Sequence, residues 1–234
     1  MIICLETSTS ICSVALCDNN GVAALRESSE NKSHASQLTV FIGELLNGAG
    51  LKASDLEAVA VSKGPGSFTG LRIGVSTAKG IAYAASIPLI GVETTFSMFC
   101  GISEEIRNSY GIDETSLFVP MLDARRMEVY YSIFNSEGKT FREISAEIID
   151  ERSFMDIPEN VRLLIFGDGA SKCRKILSRK NVEFAEEFRI SAAYMYKPAF
   201  KALEERRFED IAYFEPFYLK DFITSRPNKK ILGR

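Results

Sequence analysis

Three short runs of apolar or alternating residues open the chain, at 2–7, 11–17 and 22–28, and predict strands joined by tight turns, with Asp18-Asn19-Asn20-Gly21 the clearest turn. Over 34–48, Leu38, Phe41, Ile42, Leu45 and Leu46 fall on one stripe at helical spacing. An apolar strand at 58–62 then runs into Gly64-Pro65-Gly66-Ser67-Phe68-Thr69-Gly70 and a second helix ending near residue 86. A strand at 89–92 and a helix over 95–108 complete this half.

The second half repeats the plan. Residues 117–122 form a strand ending in Asp123, 127–134 run into the turn Asn135-Ser136-Glu137-Gly138, and 139–149 read as a third strand. Residues 163–166 end in Gly167-Asp168-Gly169, followed by a helix containing Cys173, Ile176 and Leu177, and a long helix is expected over 192–207. Each half therefore places an acid at the tip of its first strand, Glu6 and Asp123, and a glycine-rich turn after its fourth. Two βββαβα units with matching tips predict an α/β, two-lobed actin-like fold of the actin–sugar kinase–Hsp70 class. The lobes are expected at 1–108 and 109–234, with a final segment able to pack back on the first. Two unrelated α+β halves are the competing reading.

The second helix carries an unusual wheel. Leu71, Val75, Ala78, Ala82 and Ala85 form one apolar face, and Ile73, Thr77, Ile81 and Ala84 form another beside it. Arg72, Ser76, Lys79 and Tyr83 share a narrow polar strip. The apolar arc of roughly 200° is about twice what one core requires. Such a helix is buried on both sides within the monomer or covered once by a partner. Gly70, Gly74 and Ala78 at four-residue spacing permit close helix approach.

Composition narrows the function classes. A net charge of -3 with a pI near 5.5 lacks the basic balance of a protein that grips nucleic acid alone, so RNA contact must be local or shared. The five cysteines form no C-x-x-C pair and read as reduced core residues. The longest apolar stretch, 81–92, contains Ser86 and Pro88 and is too short for a membrane helix. With Met1 leading straight into a strand, a cytoplasmic location is expected. The segment after Asp221, with Arg226, Lys229, Lys230 and Arg234, reads as a solvated tail or as a guide for tRNA phosphates.

The run Gly64-Pro65-Gly66-Ser67-Phe68-Thr69-Gly70-Leu71-Arg72-Ile73-Gly74 resembles the hallmark of the TsaB (YeaZ) family. Leu5-Glu6-Thr7-Ser8-Thr9, Ser13-Val14-Ala15-Leu16, Asp123-Ala124-Arg125-Arg126 with Glu128-Val129-Tyr130, Pro198-Ala199 and Pro216-Phe217-Tyr218-Leu219 match in order. Position 6 departs from the family's usual Asp and position 220 from its commoner Arg, both keeping the charge. The resemblance implies a non-catalytic subunit of the complex that forms threonylcarbamoyladenosine in tRNA beside the anticodon. It would pair with a TsaD-like transferase and a TsaE-like ATPase, form homodimers when alone, and meet tRNA only through the complex. ATP and metal would belong to the partners. Family members pair through the first two helices of the first lobe, which points to Leu38, Ile73, Gly74, Thr77, Ala78, Ile81 and Ala84 as interface.

The residues bear on catalysis directly. The TsaD-like relative holds its metal with two histidines at i, i+4, a spacing that puts both imidazoles on one helix face. This chain has one histidine, His34, with Leu38 four residues on, so that pair cannot form. His34 follows Ser33, a candidate N-cap, and reads as a solvated or capping residue; a Ser–His device with Ser33, Ser36 or Ser67 lacks a G-x-S-x-G elbow. The glycine run is not a Walker A loop, since no register ends in G-K-[ST]. Gly167 and Gly169 resemble the adenosine-contacting turn of actin-like ATPases, and Glu6 and Asp123 their magnesium-organising acids, whereas Thr7-Ser8-Thr9 replaces the phosphate-approaching glycine. These four residues are the candidate nucleotide contacts, with degenerate turns as the competing reading. A stand-alone actin-superfamily ATPase or phosphotransferase and a glycoprotease-like metallopeptidase are the alternative functions.

Overall fold

The computed structural model describes residues 1–29 and 34–220; Ser33 and the basic residues Arg226, Lys229, Lys230 and Arg234 lie outside the described residues. The first sheet contains β1 (Ile2–Glu6), β2 (Cys12–Asp18), β3 (Gly21–Ser28), β4 (Ala58–Gly64) and β5 (Leu89–Glu93), in the order β3-β2-β1-β4-β5. Short turns make β1–β2 and β2–β3 antiparallel, while helix α1 (His34–Gly48) provides the crossover that sets β4 parallel to β1. Helix α2 (Phe68–Ala85) does the same between β4 and β5.

β1 and β4 are buried on both faces, which is why they read as continuous apolar runs. Ile3, Leu5, Val59 and Val61 face Leu38, Ile42, Leu45, Val75 and Ala78 of α1 and α2. Ile2, Cys4, Ala58 and Ala60 face the opposite way, onto Met195, Ala199 and Ala202. The last two belong to a helix near the chain's end, α6 (Tyr196–Glu204).

Between β5 and α6 lie α3 (Thr94–Cys100), α4 (Glu104–Ser109), β6 (Leu117–Asp123), β7 (Glu128–Phe134), β8 (Thr140–Ile148), β9 (Leu163–Phe166), α5 (Ala170–Cys173) and β10 (Val182–Ala185). Their sheet order, β10-β9-β6-β7-β8, repeats the first sheet strand for strand. Directions repeat too: β6 is antiparallel to β7 and parallel to β9, which is parallel to β10. Two unrelated halves would not share both order and direction; the fold is the two-lobed actin-like α/β class.

Four details differ from the sequence expectation. The helix expected over 95–108 is two, because Gly101 closes α3 and Ser103 caps α4 by accepting from Ile106 N–H at 3.2 Å. The second unit has no helix between its third and fourth strands; instead Phe154 and Ile157, in turns after β8, fill that part of its core, held by Arg179 donating to the carbonyls of both. α5 stops at Cys173, before Ile176 and Leu177, and β10 follows where no strand was predicted. The helix expected over 192–207 starts as a 3-10 turn, Ala192–Met195, and its α-helical part ends at Glu204. Among the described residues, no helix is long and apolar enough to cross a membrane.

Candidate functional site

The glycine run forms a packing seam. A Cβ added at Gly66, Gly70 or Gly74 would lie 2.5 Å from Ser8 O, 2.0 Å from Thr7 O or 2.3 Å from Thr7 Oγ1. Only glycine lets the Thr7-Ser8 backbone lie directly on the start of α2. Ser67 N–H donates to Ser8 O at 2.6 Å and Thr7 Oγ1–H to Gly70 O at 2.8 Å, fastening the contact. Ser67 Oγ caps α2 by accepting from Gly70 N–H at 3.3 Å, so the helix start is already engaged. At Gly64, where φ is +117°, a Cβ would meet Phe217 O at 2.4 Å, and Phe217 N–H donates to Lys63 O at 2.6 Å. The seam thus joins the first-strand turn, α2 and the segment Pro216-Phe217-Tyr218-Leu219.

The two strand-tip acids are occupied. Glu6 has no solvent exposure; its Oε1 accepts from Ser8 N–H at 2.6 Å and its Oε2 from Ser62 Oγ–H at 2.5 Å. Burial raises its carboxyl above the ordinary value, and the hydrogen bonds from Ser62 and Ser8 pull it partly back. Asp123 Oδ1 accepts from Arg125 N–H at 2.8 Å and pairs with Lys172, which also donates to Glu128 O at 2.6 Å. Gly167 and Gly169 let their turn press on β6: a Cβ would lie 2.3 Å from Met121 O at the first and 2.8 Å from Leu122 O at the second.

A cleft of about 530 Å³ separates the lobes, lined on one side by Thr9, Ser10 and Ile11 and on the other by Gly167, Asp168, Glu186 and Arg189. Of the four candidate nucleotide contacts, the structure brings only Gly167 to this cleft. Among the described residues its charged walls are two acids against one cation, and Arg189 Nη1 is bound to the carbonyls of Glu186 and Phe188 at 2.6 and 2.9 Å. An enclosed Glu6, an Asp123 neutralised by lysine and a cleft whose described walls carry more acids than cations do not fit a magnesium–nucleotide group. His34 Nε2 lies 3.3 Å from Ile11 O, tying the start of α1 to the first sheet.

On α2, Leu71, Val75, Ala78 and Ala82 are buried, whereas Ile73, Thr77 and Ile81 are half-buried and Ala84 is exposed. A shallow hollow of about 500 Å³ lies on this outer face, lined by Ala53, Thr77, Gly80, Ile81 and Ala84 among others, and Val40 on α1 is 51% exposed. Three residues expected at an interface face inward instead. Leu38 on α1 has no exposure inside the first core; on α2, Ala78 has none either and Gly74 is covered by Thr7, because the glycine seam sets that side of α2 on the sheet. The polar strip is also covered in part. Lys79 Nζ donates to Phe214 O at 3.0 Å and Ala212 O at 3.4 Å. The Arg72 guanidinium sits 4.7 Å over the Phe68 ring, which packs 4.8 Å from Tyr218. Sequence reading missed these partners, although Pro216-Phe217-Tyr218-Leu219 marked the segment that supplies them. Among the described residues, no three His, Cys, Asp or Glu side chains cluster as a metal site.

Comparisons with known proteins bear on the family and the fold. The family model described as TsaD: tRNA N6-adenosine threonylcarbamoyltransferase matches residues 27–213. The tRNA threonylcarbamoyladenosine biosynthesis protein TsaB of Haemophilus influenzae is 27% identical over 100% of this chain and 98% of that protein. The Escherichia coli protein of the same name is 31% identical over 64% of this chain and 65% of its own length. The solved structure described as YeaZ from Pseudomonas aeruginosa aligns with a TM-score of 0.74 at 24% identity, covering 93% of this chain and 99% of that one, which bears on the fold. With the glycine seam intact and the match to TsaB running end to end, the chain belongs to the TsaB (YeaZ) family.

Proposed function

We propose that this chain acts in the biosynthesis of threonylcarbamoyladenosine in tRNA as a non-catalytic assembly subunit, pairing with a TsaD-type transferase. A TsaE-type ATPase joins the pair, and a homodimer forms when the transferase is absent. The ATP and metal that the reaction uses are held by the partners, tRNA is met through the complex, and the work is done in the cytoplasm. The observation that carries the reading is the outer face of α2. Ile73, Thr77, Ile81 and Ala84 form an apolar stripe that the monomer leaves half-covered, on a helix whose inner face already completes a core. Exposed apolar surface of this kind marks a contact surface. The names of the relatives supply the pathway, and the single histidine supports a partner as the source of chemistry.

Thr77→Glu tests the reading. A carboxylate there stays hydrated in the free monomer and must be desolvated in a complex, so the change falls on association. Weakening of the transferase pair by about a hundredfold, roughly 2.7 kcal/mol, is expected, with circular dichroism unchanged and tRNA modification lost in a reconstituted system. Ser76→Glu, one position away and exposed, is the matched control. Normal pairing of the Thr77→Glu chain, or threonylcarbamoyl transfer by the isolated chain, would overturn it.

A further inference from the structure

We propose that a hollow where the two lobes meet α6 binds a small organic phosphate carrying a flat ring, of the mononucleotide class. This site is distinct from the interlobe cleft and from the α2 face, and it does not rest on the assembly role. It lies at the carboxyl ends of two parallel strands, with Lys63 from β4 and Gly91, Val92 and Glu93 from β5. That is where open α/β sheets place their ligands. Its other walls come from α3, the β7–β8 hairpin and α6, so an occupant would touch both lobes. The volume is about 320 Å³, at the small end of the range for ligand pockets.

Charge selects the ligand's head. Lys63 from β4, and Lys201 and Arg207 from α6 and the turn after it, line the hollow with one lining carboxylate among the described residues, Glu93, and Glu209 at its edge beside Gly91, on a chain that is acidic overall. Lys201 has no acidic partner within ion-pair distance among the described residues. Lys63 reaches Glu209 only at 3.8 Å, and Arg207 pairs with Glu205 on the surface. Exposed pairs of this kind contribute little, so a doubly charged phosphate can displace them. Among the described residues the interlobe cleft has the opposite balance, two acids to one cation.

The apolar walls select the body. Phe96 and Phe134 meet edge to face, 5.7 Å between ring centres, and with Val92, Pro198 and Ala202 they make up the apolar part of the lining. Glu93 Oε1 accepts from Thr95 Oγ1–H at 2.5 Å, and an ionised carboxylate keeps further capacity to accept from a ring amine or sugar hydroxyl. A phosphate at one end and a flat, hydrogen-bond-donating body at the other describe a mononucleotide.

Calorimetric titration of the purified full chain with AMP, and separately with inorganic phosphate, tests the assignment. AMP binding is expected, tighter than inorganic phosphate, and weakened about tenfold or more by Lys201→Glu with Arg207→Glu, but not by Asp168→Ala in the cleft. Amide resonances of Gly91, Gly138 and Thr140 should shift on titration; this second readout uses the unaltered chain, so it holds if the double variant folds poorly. No AMP binding, equal affinity for inorganic phosphate, an unaffected double variant, or shifts confined to Ser10 and Gly167 would each overturn it.

Discussion

A carboxylate without solvent exposure needs either a counter-charge or hydrogen bonds, and Glu6 has only the latter. Its pKa is raised from the ordinary 4.5 mainly by burial, so the folded state holds the proton more tightly than the unfolded one. That contribution is fully present below the unfolded-state pKa and is lost as pH rises through the folded one. In Glu6→Gln the amide oxygen can accept from Ser8 N–H while the amide nitrogen donates to Ser62 Oγ. Thermal melts across pH should therefore show the variant gaining on the wild type as pH rises, with the two curves converging in acid. Parallel curves would mean that the burial of Glu6 carries no proton linkage. Glu6 was legible as an acid at a strand tip, but Ser62 was not legible as its partner. They meet only because the parallel register pairs Leu5 with Val61, a long-range fact that no local pattern encodes. The glycines teach the same lesson with a sharper test. In Gly70→Ala the new methyl would meet backbone, Thr7 O, rather than a movable side chain. A loss of about 1–3 kcal/mol or more is expected in urea titrations; an unchanged midpoint would show that the turn yields easily.

At the scale of elements, long periodic segments were readable and short ones were not. The stripe Leu38, Ile42, Leu45 gave α1 its observed limits, His34–Gly48, because fifteen residues hold several turns of evidence. β10, four residues long, has no such run, and its strand character comes from pairing with β9. Breaks inside helical patterns were missed where a side chain from elsewhere enforces them: the Tyr194 ring lies 2.4 Å from where a Gly101 Cβ would be. On α2 the helix and its two apolar faces were legible, but not which residues each face would keep exposed. The Thr7 contact at Gly74 decided that, turning Leu71, Val75 and Ala78 inward and leaving Ile73, Thr77 and Ile81 half-covered. Lys79 illustrates the limit from the other side. It reads as a solvated strip residue, yet its ammonium holds two backbone carbonyls of the C-terminal segment, so it is not a neutral position for charge reversal.

For the whole molecule, duplication was readable as repeated tips and turns, and the matching strand orders express it in three dimensions. What the repeat does not contain is the return of the chain's end to its beginning. Met195, Ala199 and Ala202 cover the face of the first sheet formed by Ile2, Cys4, Ala58, Ala60 and Ile90. A chain ending at residue 190 should therefore expose that face and be recovered as aggregate, whereas soluble, monomeric protein would show that the first sheet is self-sufficient. The same arrangement sets a timetable during synthesis. A ribosome releases β1 to β5 early, at about 5–20 residues per second, yet the covering helix emerges only after the entire second lobe. Throughout that interval the residues that cover Ile2, Cys4, Ala58 and Ala60 in the folded chain are not yet available, and contacts between residues this far apart in sequence form slowly. That delay in covering the first sheet arises from the order of the elements rather than from the strength of the final core.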